Sequence, residues 1–340
     1  MSTTRDAIIE CLSSSKRVLI TTHVRPDGDA LGTAAAVHLA LRAHGIASEI
    51  LLLSKLPTKY AFLMRETGAT HRMIDAPNHP VPPREWYEQF DCLFVVDTGT
   101  WSQLPTIDEV MKTWKPKNVL VMDHHQTQEP WGDARWVDTT ASAAGEMAFD
   151  LLRAWPGTKL DAAMAEALFV AITSDTGWFA FSNTSPRTLR ACAELMEVGV
   201  DTDALYQRLF QNERPERLLL QVRAMRSLAF LAGGRVARMS IANSDFAETR
   251  ANVPDTENLV NIPLQVADVQ VSVLLSEDPT GGPVRVSFRS KGQLDVAKFA
   301  EQFAGGGHAR ASGAKIVGPL DEVVRRVSEA LESAMASSGK

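Results

Sequence analysis

Four short apolar runs in this chain each stop at an aspartate or at an Asp-His-His step, and this punctuation narrows the choice of fold more than any other feature. Val18-Leu19-Ile20 runs into Thr22-His23-Val24-Arg25-Pro26-Asp27-Gly28-Asp29-Ala30. Val95-Val96 stops at Asp97, Leu120-Val121-Met122 at Asp123-His124-His125, and Ile172-Thr173-Ser174 at Asp175. One such stop is commonplace, because an aspartate after a strand is often only a helix N-cap. Four stops that converge in space make a metal site.

The spacing of the runs points to an α/β chain. Val18–Thr22, Ser48–Leu53, Leu93–Asp97 and Asn118–Asp123 read as strands, short and apolar as in a sheet covered on both faces. Helical patterns lie between and after them at Gly28–His44, Thr58–Thr67, Ala144–Trp155 and Asp161–Thr173. This alternation implies a mostly parallel sheet with helices on both sides. Ligands bind such sheets beyond the carboxyl ends of the strands, where the acidic and histidine positions fall. The Pro-rich stretch Asn78–Pro83 is expected to be a surface loop.

The texture changes after residue 185. Helical patterns at Asp201–Phe210 and from Pro215 form an expected bridge over residues 186–226, between a first domain at 1–185 and a second at 227–340. The second domain is expected to be a smaller α/β unit with a mixed sheet. Val269–Leu275 and Val284–Phe288 read as a hairpin around Asp278-Pro279-Thr280-Gly281-Gly282. A helix at Asp295–Phe303, a glycine run, a short strand near Lys315–Val317 and a terminal helix from Leu320 to Ala336 follow. Ser337-Ser338-Gly339-Lys340 reads as a disordered tail.

Composition bounds the partners. The 340 residues carry a formal net charge of −6, which argues against a long duplex held by lysine and arginine on phosphates. A short phosphorylated substrate held by metals remains compatible with that charge. No segment approaches the roughly 18 apolar residues of a membrane span, and Met1–Asp6 lacks a basic secretory start. Cys11, Cys92 and Cys192 are scattered, without a CxxC, and read as reduced buried thiols. The expected location is the cytoplasm; membrane association is not expected, and a homodimer is left open.

The candidate ligands are His23, Asp27, Asp29, Asp97, His124 and Asp175. Four carboxylates and two imidazoles suit Mn²⁺ or Mg²⁺ better than a thiolate-rich zinc site does. Such a set suits two ions sharing one carboxylate, and its four negative charges would roughly cancel those of the two cations. Asp27 and Asp29 flank Gly28, which sets little steric limit on a tight turn and can serve two ions about 3.5–4 Å apart. Asp97 is the natural bridge. Adjacent Asp123, His124 and His125 cannot all face one ion; one histidine ligates, Asp123 orients a ring, and His125 is left for substrate phosphate.

Phe303-Ala304-Gly305-Gly306-Gly307-His308-Ala309-Arg310-Ala311-Ser312-Gly313 is the second informative stretch. Gly305, Gly306 and Gly307 let the backbone approach a ligand, and successive N–H groups can form an anion nest. His308 and Arg310 add donors, and Arg289 can grip a phosphate bidentately from a strand end. Trp178 and Phe179 read as core, with base stacking as the alternative. His38, His44, His71 and His79 read as structural or surface residues.

His23-x3-Asp27-x-Asp29, Asp97, Asp123-His124-His125 and Asp175 resemble the four motifs of the DHH phosphoesterases. Gly305–His308 with Ala311-Ser312-Gly313 is similar to the signature of the DHH-associated C-terminal domain. The resemblance spans about residues 17–317 and implies two domains with the active site in the cleft between them. It implies that His23, Asp27 and Asp97 hold one Mn²⁺, and that Asp29, Asp97, His124 and Asp175 hold the other. It also implies that His125 is the substrate-side histidine, counted with Asp123 as catalytic, and that Arg289, Gly306 and His308 bind phosphate. The stand-alone two-domain form resembles the group that degrades short RNA and DNA oligonucleotides to nucleoside 5′-monophosphates and dephosphorylates 3′-phosphoadenosine 5′-phosphate. Alternatives are a linear or cyclic di-AMP phosphodiesterase and, in another class, a non-catalytic nucleotide-binding regulator.

Overall fold

A computed structural model describes residues 4–337 apart from residue 67 and residues 75–77. Thr67, at the end of one expected helix, and residues 338–340 of the expected tail lie outside the described residues. The chain divides into two compact units, Met1–Gln211 and Asn212–Lys340. The helices of residues 186–226 are shared between them. Pro186–Val198 and Thr202–Phe210 fall in the first unit, and Pro215–Arg226 falls in the second.

The first unit is built on strands β1 (Arg17–Thr21), β2 (Ala47–Leu52), β3 (His71–Met73), β4 (Cys92–Val96), β5 (Asn118–Asp123) and β6 (Ala134–Val137). They form one sheet in the order β3-β2-β1-β4-β5-β6, with every pairing parallel. The chain builds outward from β1 to β3, then returns to lay β4 on the other side of β1. The crevice at that reversal, beyond the carboxyl ends of β1 and β4, is the usual ligand position in such sheets. Both faces are covered. Val18 and Ile20 pack with Leu31, Val37 and Phe169 on one side, while Leu19 packs with Tyr87, Leu104 and Ile107 on the other. That double burial is why the strands are continuous apolar runs.

Three helices on one face approach at backbone distance: Gly28–Ala43, Ala144–Ala154 and Ala162–Asp175. A Cβ at Gly32 would lie 2.3 Å from the Ala167 carbonyl oxygen, and one at Gly145 would lie 2.4 Å from the Ala171 methyl. Gly28 is helical, and its need for glycine is also one of packing: a Cβ there would strike the Ser174 hydroxyl at 1.8 Å. The turn freedom expected of Gly28 is therefore not the constraint. Asp175 likewise arrives at the carboxyl end of a helix, not of a strand.

The second unit holds β7 (Ala229–Leu231), β8 (Val236–Ile241), β9 (Val271–Ser276), β10 (Val284–Ser290), β11 (Gly306–His308) and β12 (Ala311–Ile316). Their order is β11-β12-β10-β9-β8-β7. The β8–β9 pairing is parallel and the others are antiparallel, so the sheet is mixed. Val271, Val273 and Phe288 pack against Val323, Val327 and Leu331 of the terminal helix Leu320–Ser337. Met239 and Leu274 pack with Leu220 and Ala224 of helix Pro215–Arg226. Among the described residues no helix is long and apolar enough to cross a membrane.

Gly32→Ala should destabilise the chain by about 1–3 kcal/mol through overpacking. Gly306→Ala, where a Cβ meets nothing within 4 Å, should be nearly neutral in the same unfolding titration. Equal midpoints for the two variants would contradict the close helix contact.

Candidate metal centre

The expected ligands from distant segments meet beyond the strand ends of the first unit. His23, Asp27 and Asp97 form one group whose ligand atoms all lie within 4.8 Å of one another; Asp29, His124 and Asp175 form a second, and Asp97, His124 and His125 a third. Asp97 belongs to two of these groups and uses a different oxygen for each. Oδ2 lies 3.4 Å from His23 Nε2, and Oδ1 lies 3.5 Å from His124 Nε2. His124 Nε2 is also 3.3 Å from Asp175 Oδ2 and 3.6 Å from Asp29 Oδ2. Both His124 Nε2 and Asp97 Oδ1 are buried without a hydrogen-bond partner. Buried polar atoms are rarely left unpaired, so lone pairs that converge in this way fit a cation.

Local structure aims each group. Asp97 follows β4 directly and takes a left-handed backbone, φ +61°, while its N–H donates to the Met122 carbonyl at 2.9 Å. Aspartate tolerates this conformation better than most residues. Asp27 caps helix Gly28–Ala43: its Oδ1 accepts from the N–H groups of Asp29 and Ala30. Asp29 is fully buried and accepts from the N–H groups of Ala144 and Gly145, at 2.7 and 2.8 Å, and from the Thr33 hydroxyl at 3.2 Å. The amino end of helix Ala144–Ala154 thus stabilises its charge.

The ring nitrogens are sorted the same way. His23 Nδ1 faces the Val24 carbonyl at 2.9 Å, which leaves Nε2 for the centre. His124 Nδ1 faces the Ala141 carbonyl at 3.3 Å. Buried Asp123 holds the other histidine, with its Oδ1 at 2.8 Å from His125 Nδ1. His125 is half exposed and free to meet a substrate.

Without a cation the cluster holds protons. Burial opposes charge on His23, yet Asp97 prevails and carries it up to about 9. Burial likewise opposes charge on His124, and Asp175 and Asp97 raise it. Burial and the Asp97 charge push Asp29 and Asp27 up. Asp97 itself is held low against burial by the two imidazoles. The bond from Asp123 raises His125.

Some supporting residues carried no sequence signal. Gln128 donates from its amide to Asp123 and to the His125 carbonyl, and accepts from Arg135 at 2.8 Å. Asn183 donates to the Ser142 and Asp175 carbonyls. Trp178 and Phe179 pack against the core. His38 is buried beside Ser48, and His44 stacks on Trp155.

The second unit arranges the expected phosphate contacts in a register. Arg289 and His308 both pair with Ala311, from β10 and β11, so their side chains share one face across three strands. Ser287, Gly313 and Gly306 form the adjacent row on that face. Gly305 and Gly307 are dictated by packing, since a Cβ would meet the Gly313 carbonyl at 2.3 Å or the Ala311 carbonyl at 2.6 Å. Gly306 has open space and no left-handed φ. Gly306–His308 form an edge strand, where the sequence pointed to an anion nest.

Residues 17–172 match the DHH family, N-terminal domain, and residues 236–337 match the DHHA1 domain. The chain is 30% identical over 323 residues to the bifunctional oligoribonuclease and PAP phosphatase NrnA of Thermus thermophilus, covering 95% of this chain and 91% of that one. It is 27% identical over 315 residues to the Bacillus subtilis protein of the same name, covering 91% and 92%. The crystal structure of an exopolyphosphatase-related protein from Bacteroides fragilis shares the fold, with a TM-score of 0.85 at 21% identity over 99% of this chain and 97% of that one.

Ligands must lose their protons to bind a cation. Manganese titrated calorimetrically at pH 7 should therefore release protons, giving a heat that changes with the ionisation enthalpy of the buffer. Affinity should rise with pH through the alkaline range, as His23 loses its proton at about 9 and His124, raised further, loses its own at about 11. A buffer-independent heat would contradict the assignment.

Proposed function

The chain belongs to the DHH family, and from that premise we propose that it hydrolyses short oligonucleotides to nucleoside 5′-monophosphates and 3′-phosphoadenosine 5′-phosphate to AMP. The observation that carries the reading is the pair of buried, unpartnered atoms, His124 Nε2 and Asp97 Oδ1, facing each other among carboxylates. His23, Asp27 and Asp97 would hold one divalent cation, and Asp29, Asp97, His124 and Asp175 the second. Mn²⁺ is the ion proposed, with Mg²⁺ as the alternative; oxygen and imidazole donors suit both. When bound, such a pair supplies Lewis-acid charge and a water acidified toward neutral pH.

The chain's own side chains do the rest. His125, its Nδ1 held by Asp123, turns its other nitrogen outward to donate a hydrogen bond to a phosphoryl oxygen, where negative charge grows as water adds to phosphorus. Gln128 holds Asp123 in turn, so the ring meets the substrate already oriented. The phosphorus–oxygen bond to the 3′ oxygen breaks; the water gives up a proton and the 3′ oxygen takes one, leaving a 3′ hydroxyl and a 5′-monophosphate from an oligonucleotide, or AMP and phosphate from 3′-phosphoadenosine 5′-phosphate. Arg289 and His308, in register across β10 and β11, suit a more distant phosphate, and Gly306 lets that phosphate lie against the strand. Free Cys11, Cys92 and Cys192 suit the reducing cytoplasm, where we place the enzyme.

Purified chain with Mn²⁺ should cleave a diribonucleotide and 3′-phosphoadenosine 5′-phosphate faster than cyclic di-AMP, and a chelator should stop it. Asp97→Ala should lower kcat by more than about 100-fold, since even outer contacts to a metal ligand cost 10–100-fold. Chelator-resistant turnover would sink the reading, and tight nucleotide binding without turnover would favour a regulator.

Arg289→Ala should raise KM roughly 10- to 100-fold at nearly constant kcat, as expected for a charged hydrogen bond made equally in ground and transition states. A fall in kcat at constant KM would contradict that role.

A further inference from the structure

The metal centre accounts for Asp175 but not for the segment after it. Gly177, Trp178 and Phe179 all take left-handed backbone, with φ of +54°, +56° and +68°. Bulky side chains seldom adopt that conformation, and two in succession persist only where the surroundings impose it. Here the surroundings do. The N–H of Trp178 donates to the Thr173 carbonyl at 2.8 Å, and that of Phe181 to the Thr176 carbonyl at 3.0 Å. Asn183 ties the far end of the segment to the Asp175 carbonyl at 3.1 Å. Behind it Trp178 meets Tyr206 and Phe210 edge-on, at centroid separations of 5.3 and 5.5 Å.

This tightly held turn presents an aromatic ring to solvent. Phe181 is 59% exposed, more than Tyr206 or Phe210 beside it. Its ring tip lies over Gly177, where a Cβ would come within 2.5 Å of it. Gly177 is two residues from Asp175, so the ring is anchored to the same backbone as a candidate metal ligand. An exposed ring carried on a tightly bonded turn just after a candidate metal ligand suits a nucleobase, because every base has a π-face to stack.

We propose that Phe181 is the stacking platform for a nucleobase flanking the scissile phosphate. This rests on the nucleotide-hydrolase reading and adds the part of the substrate that the metals and Arg289 leave unread. It makes the preference for nucleotides over plain phosphoesters a property of the first unit. Purine bases, with the larger stacking surface, gain most from it.

The test uses the Mn²⁺-loaded chain on diadenylate, diuridylate and an abasic dinucleotide with the same phosphodiester. Phe181→Ala should raise KM for diadenylate roughly 5- to 150-fold, the range that 1–3 kcal/mol of stacking gives. It should raise KM less for diuridylate and leave the abasic substrate within about twofold. Phe181→Leu keeps apolar bulk on Gly177 without a π-face and should behave like alanine, whereas Phe181→Trp should restore the wild-type order. Binding of 2-aminopurine riboside monophosphate should quench its fluorescence with wild type and not with Phe181→Leu. An abasic substrate as impaired as diadenylate, or a Leu variant with unchanged KM and quenching, would overturn the proposal. A wild-type chain inactive on all three dinucleotides would instead overturn the reading beneath it.

Discussion

Mutual repulsion among aspartates governs this molecule. Asp27, Asp29, Asp97 and Asp175 are brought together at one end of a parallel sheet, two of them almost sealed from water. Burying several like charges is costly unless positive charge compensates them. The structure compensates in layers. The amino end of helix Ala144–Ala154 donates two N–H groups to Asp29, the cap of helix Gly28–Ala43 donates two to Asp27, and His23 and His124 stand ready to carry protons. What remains after these donors is a space whose lining atoms lack partners. Divalent cations, as proposed, would complete the balance that the protein alone leaves open.

The rest of the first unit follows from holding that arrangement. Sheet order puts β1 beside β4, so the ends that carry His23 and Asp97 adjoin although the residues are far apart in sequence. Small residues bring three helices close enough for Asp29, Asp175 and the Ala144 N–H to share one corner. Small residues in helix Gly28–Ala43 therefore set the helix spacing: at Gly28 and Gly32 the neighbouring helix leaves no room even for a Cβ.

Much of this was legible in the sequence because burial on both faces writes itself as an uninterrupted apolar run, and because chemistry at the end of such a run breaks it sharply. That is why β1, β4 and β5 and the acidic stops stood out. β3 and β6 did not: His71-Arg72-Met73 is a short exposed edge, and Ala134–Val137 carries an arginine and a tryptophan in partly open positions. Gln128 and Asn183 were hidden for another reason. A polar residue that grips a ligand's partner looks, in one dimension, like any polar residue of a loop. The register that aligns Arg289 with His308 was equally invisible, since it depends on Ala311 lying between them.

The scattering of the ligands over four separate stretches of chain has a thermodynamic corollary. Unfolded polypeptide offers only a local set, His23 with Asp27 and Asp29, and so short a stretch of mobile chain grips a divalent ion feebly. The assembled end of the sheet offers the whole set. If the proposed cations bind there, free cation in the surroundings deepens the native well by mass action, and a cell starved of the metal would lose the scaffold's resilience along with its chemistry.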